Sequence, residues 1–173
     1  MNKSEPEVDQ LAALLNAFNQ ENDRGAALVA AAFIDQRLLE ILQAFCADAP
    51  ETNRLLKSNN APLSTFANRC LAAYCLGLIQ RNEFQEINII RKIRNEFGHQ
   101  WSHINFQSKQ IFDLCNKLPW LGPMEFEEEN NPRMRFNAAV ATLLSDLLWR
   151  SRLVKEQKRQ IIAWPNRIRK QKQ

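Results

Sequence analysis

Glycine and proline are scarce in this chain, at four and seven of 173 residues, as are histidine, with two, and tyrosine, with one. So few turn formers cannot punctuate a many-stranded sheet, and the apolar content of 45% is too high for a disordered chain. Long apolar runs are missing too. The longest, AALVAAAFI from Ala26, stops at Asp35 after about nine residues, well short of the roughly 20 needed to cross a bilayer. The opening residues MNKSEPEVDQ are acidic and carry neither the basic nor the apolar region of a signal peptide. A soluble, cytoplasmic protein with no membrane segment is expected.

Enzyme signatures are absent as well. The chain has no glycine-rich phosphate loop, no GxSxG elbow, no HExxH and no CxxC. Cys46, Cys70, Cys75 and Cys115 are scattered, and free cysteine ordinarily behaves as a small buried hydrophobe, so reduced core thiols are expected. His99 and His103 have HxxxH spacing, which suits a metal only on a continuous helix with further ligands, and no third ligand stands out. Neither metal nor cofactor is expected.

What remains is helix. Val8, Leu11, Leu14, Leu15 and Phe18 recur at helical spacing up to about Asn22, and Val29, Phe33, Leu38, Ile41, Leu42 and Phe45 stripe a longer helix from Ala26 to about Ala47. A short turn of helix at 52–57 is followed by NNAPLS, where Pro62 breaks the chain and Ser64 can cap a helix over 65–79. The next helix, 83–97, is followed by a short one capped by Ser108 and by a turn-rich loop, PWLGPMEFEEENNP. A last helix is expected from about Arg133 to about Arg159, striped by Phe136, Val140, Leu143, Leu147 and Val154. The reading is all-α: a single-domain bundle of about six helices over 1–159, and a basic C-terminal tail over 160–173.

Charge is unevenly placed. Acid gathers at Glu5, Glu7 and Asp9 and in EFEEE from Glu125, whereas the chain from Arg150 onward is basic and ends NRIRKQKQ. Arg167, Arg169, Lys170 and Lys172 are candidates for binding RNA, DNA or an acidic partner, against the plainer reading of a solvated terminus.

The segment RNEFGHQWSH, from Arg94 to His103, contains both histidines. On a helical wheel with Phe84 at 0°, Ile87, Ile90, Ile93 and Phe97 fall between about 180° and 300° and define a buried face, with Arg94 inside it at about 280°. A guanidinium is costly to bury alone, so Arg94 should meet a carboxylate, a cavity, a subunit boundary or a phosphate. His99 follows Gly98, which is suited to closing the helix. Without a break there, five steps put His99 about 140° from Arg94, too far round for both to grip one group. With a break, imidazole and guanidinium can share a space where one exchanges protons and the other neutralises phosphate charge. The alternative is a structural arginine beside a helix-terminal histidine. No helix-turn-helix is evident, because the helix after the turn at 80–82 has an isoleucine-rich face instead of a basic, polar one.

Between Asn53 and His99, Leu55 and Leu56, PLS from Pro62, Arg69 five residues before Tyr74, LGLI from Leu76 and IRNEFGH from Ile93 together resemble the mannitol operon repressor (MltR) family. The likeness extends back through the Ala26 to Phe45 helix and departs from the family pattern at Ala61. It implies an all-helical transcription repressor without a recognised DNA-binding motif, regulating through contact with a protein partner. RNEFGH also resembles the Arg, polar residue, three residues, His signature of HEPN-type helical domains, which include metal-independent ribonucleases and inactive, protein-binding members. That likeness implies that Arg94 neutralises a scissile phosphate, Asn95 orients the groups and His99 moves protons during attack by a 2′-hydroxyl, at a site formed across a homodimer. Trp101, Trp120, Trp149 and Trp164 supply either core or the apolar surface that such contacts use.

Overall fold

In a computed structural model, which describes residues 5–99, 103–126 and 131–165, the chain forms eight α-helices and one 3-10 turn, with no strand among the described residues. The helices are α1 (Pro6–Gln20), α2 (Asp23–Phe45), α3 (Pro50–Leu56), α4 (Phe66–Cys75), α5 (Arg81–His99), α6 (Lys109–Cys115), α7 (Pro132–Asp146) and α8 (Arg150–Lys155); the 3-10 turn is Met124–Phe126. The all-α expectation holds. The count rises because the turn at 52–57 is a helix and because the expected last helix divides in two.

Helix boundaries follow from local hydrogen bonding. The Asn22 side chain accepts from the Gly25 amide at 2.9 Å, so α2 starts at Asp23, three residues before the apolar stripe suggests. Thr65, not Ser64, caps α4 by accepting from the Asn68 amide at 3.2 Å. α4 then stops at Cys75, short of the expected 79. There the Leu78 amide donates to the Ala73 carbonyl and the Gly77 amide to that of Tyr74, with Gly77 at φ +70°, the paired bonds of a glycine-terminated helix. α5 opens with the Glu83 carboxylate accepting from the Gln80 amide at 2.6 Å.

The last helix breaks over 147–149 because Arg150 is drawn inward. Its guanidinium donates to both oxygens of Glu83, at 2.7 and 3.1 Å, and to the Leu78 carbonyl at 3.0 Å. Glu83 is only 2% exposed, and a carboxylate so buried requires a charged partner.

α2 is the hub and packs against α1, α3, α4, α5, α7 and α8. Its first half buries Ala26, Ala27, Ala30 and Ala31, small side chains that let neighbouring helices approach, and its second half buries Ile34, Leu38, Ile41 and Leu42. Phe33, expected in the stripe, points outward with Leu28. α5 supplies Ile87, Ile90, Ile93 and Phe97 to the core as its wheel predicts, each fully buried aliphatic or aromatic side chain contributing about 1.5–3 kcal/mol. Phe97, Phe106, Phe136 and Phe18 continue the core in a chain of ring contacts 5.1 to 6.1 Å apart. Arg133 fastens this end: it pairs with Asp23 at 3.0 Å, lies over the Phe18 and Phe106 rings, and Asp23 in turn accepts from the Phe106 amide.

The cysteine and tryptophan expectations are met only in part. Cys70 and Cys115 are buried, but Cys46 is half-buried and Cys75 exposed. Trp120 and Trp149 are half-buried, each beneath an arginine, Arg135 and Arg152 respectively, while Trp164 is exposed and Trp101 lies outside the described residues. Among the described residues no helix is long and apolar enough to cross a membrane.

Candidate functional site

The candidate site arises from a mismatch in helix length. α4 has ten residues and α5 nineteen, and they run antiparallel: Tyr74 stacks on Phe84 at 4.5 Å, and the Asn88 amide faces Cys70 Sγ at 3.7 Å. α4 begins at Phe66, near Arg91. Beyond that point its cover ends, and a cleft of about 550 Å³ opens between α2, the 64–65 segment, the start of α4 and the last turns of α5.

Arg94 stands in this cleft. It is exposed, so of the surroundings expected for a guanidinium on this helix face it meets a cavity. Its wheel angle is right, but a wheel assumes a neighbour along the whole helix, and here the neighbour stops a turn too soon. Among the described residues its hydrogen bond is to Asn95 Oδ1, at 3.1 Å, and it has no carboxylate partner. Asn95 is half-buried and lines the same cleft.

His99 does not join them. α5 continues unbroken through Gly98 to His99, and Gly98 has no positive φ, so the turn expected at that glycine does not occur. Among the described residues, nothing lies within 4 Å of a Cβ placed on Gly98, so none of them requires glycine there. The chain therefore takes the continuous-helix geometry, with His99 exposed about 140° round from Arg94 and outside the cleft. Within one subunit the Arg94, Asn95 and His99 set is not convergent. Arg167, Arg169, Lys170 and Lys172 lie outside the described residues. Among the described residues no three His, Cys, Asp or Glu side chains are placed to hold a metal ion.

The cleft gathers residues that the sequence reading passed over. Arg91 is one turn before Arg94 on the same wall, a spacing of three that could have been noticed. Its Nη2 donates to Asn88 at 3.3 Å, while its Nε is buried without an acceptor. Asp35 faces it from α2. One oxygen of Asp35 pairs with Arg69 at 2.7 Å, and the other is buried with no hydrogen-bond partner. Arg69 also donates to the carbonyls of Leu63, at 2.9 Å, and Leu56, at 3.4 Å, so it ties the 57–65 segment to α2 and sets the cleft's rim. Ser64 and Thr65 place hydroxyls on that rim, and Leu28, Ala31 and Ala32 line the α2 side. Beneath, burial raises the Cys70 thiol to about 11 despite the nearby Arg91 charge, which acts the other way.

The family model described as MtlR, mannitol repressor, matches residues 51–162, well over half of the chain, which includes Thr65, Arg69, Arg91, Arg94 and Asn95. No curated protein matches it in sequence. Among solved structures, a chain of the X-ray structure of the MtlR-HPr complex from Escherichia coli superposes with a TM-score of 0.56 at 19% identity, covering 87% of this chain and 99% of that one. At that identity the likeness concerns the fold.

Proposed function

The chain belongs to the mannitol repressor family, and from that premise we propose that it is a transcription regulator acting through a protein partner instead of reading DNA itself. The family match over 51–162 carries the reading. The helix that would have to serve as a recognition helix, α5, is unsuited to it: its isoleucine face is buried and it packs against α2, α4, α6 and α7. The structural neighbour was solved as a complex with the protein called HPr, and we propose an HPr protein as partner here too. Leu71, Tyr74 and Leu76, exposed around the end of α4, offer apolar surface of the kind protein contacts use.

The test is a mobility-shift titration of the full chain with operator DNA and with random DNA of equal length. We expect no discrimination between the two, and any retardation to weaken steeply with salt, as phosphate contacts from the basic tail would dictate. Selective retention of operator DNA by the chain alone would overturn the reading. The ribonuclease alternative draws on Arg94 being unsealed; with His99 outside the cleft of its own subunit, it would need His99 of the partner subunit to supply the proton-transferring group.

A further inference from the structure

We propose that the cleft between α2, α4 and α5 is a binding site for a small phosphorylated polyol, held by its phosphate on Arg91 and Arg94 and by its hydroxyls on Asp35 and Ser64. The volume, about 550 Å³, suits a small ligand, and the cleft is walled by helices on both sides.

The two walls differ in chemistry. On the α5 wall, Arg91 and Arg94 point the same way from successive turns, and neither has a carboxylate partner among the described residues, whereas Arg69, Arg133 and Arg150 each close onto one. Two adjacent guanidinia repel each other and gain most from a doubly charged, multidentate anion, which a phosphate monoester is and a single carboxylate is not. Arg91 Nε, buried without an acceptor, is a donor that such an oxygen would satisfy. On the opposite wall the buried Asp35 Oδ1 has no donor. An acceptor of that kind calls for an alcohol, and the Ser64 and Thr65 hydroxyls beside it are suited to the same groups. A ligand satisfying both walls carries a phosphate at one end and hydroxyls at the other. A mannitol-related family description agrees with this chemistry, but the cleft argues it independently.

The experiment is calorimetric titration of the full chain with mannitol 1-phosphate, mannitol and inorganic phosphate. The ester should bind best, inorganic phosphate about tenfold more weakly for want of the hydroxyl contacts, and mannitol not measurably over the same range. Arg94→Gln and Arg91→Gln should each weaken ester binding about tenfold or more, the scale of one charge-assisted hydrogen bond, while Lys92→Gln, an equal loss of charge on the far side of α5, should leave it unchanged. Arg94 is exposed, so its variant keeps the fold and carries the test even if Arg91→Gln does not. Absence of ester binding, equal binding of ester and inorganic phosphate, or equal behaviour of Arg94→Gln and Lys92→Gln would overturn the proposal. So would Arg94-dependent binding of a single-stranded RNA oligonucleotide where the ester fails. No partner is present in the titration, so its failure would leave the protein-partner reading standing.

Discussion

Ile90 and Arg94 sit one turn apart on the same side of α5, yet Ile90 is fully buried and Arg94 is exposed. The difference lies in what each meets: Ile90 faces packed helices, and Arg94 faces the gap beyond the first residue of α4. The same geometry separates His99 from the cleft. RNA incubated with the chain in chelator should therefore stay intact, assayed by denaturing electrophoresis; cleavage that disappears in a folded His99→Ala variant would restore the nuclease reading. Thiols give a second test at this scale. Burial raises Cys70 to about 11 and Cys115 to about 12 from 9.0, so folding favours their neutral forms. The stability they contribute is complete below pH 9 and is lost as pH climbs through those raised values. Urea midpoints should fall between pH 9 and 11, and less so in Cys70→Ala; an unchanged slope in that variant would refute the assignment. Residue direction was legible in the sequence, since the wheel placed the isoleucines correctly. Residue environment was not, because the wheel contains no information on where a neighbour ends.

Among the elements, the long helices were readable from periodicity, but periodicity did not fix their ends, which single residues decide: Asn22 caps α2 three residues before its stripe, and Gly77, at positive φ, follows the end of α4 short of the expected 79. The division of the last helix into α7 and α8 had no such mark, because the apolar stripe from Phe136 to Val154 is compatible with a continuous helix. What breaks it is an ion pair 67 residues away in sequence, Arg150 with Glu83. Removing one partner should be costly. Arg150→Ala leaves a buried carboxylate uncompensated and is expected to lose about 3–5 kcal/mol in chemical denaturation, whereas the double change Glu83→Leu with Arg150→Met should recover a large part of it. A loss below about 1 kcal/mol for the single variant would mean that the pair does not hold the break.

For the whole molecule, composition indicated an all-helical bundle, and the motifs between Asn53 and His99 indicated its family, which the match over 51–162 establishes. The cleft was not legible, because its parts come from α2, the 64–65 segment and α5 and meet only on folding. The molecule as described has an isoleucine-faced core helix where a DNA reader would need a basic one, and it shares its fold with a protein solved in complex with HPr. Calorimetric titration of the full chain with purified HPr from the same organism tests the central claim most directly. A saturable complex of fixed stoichiometry, retained in Arg94→Gln, is the predicted result; no heat and no co-elution at concentrations well above those in the cell would contradict it.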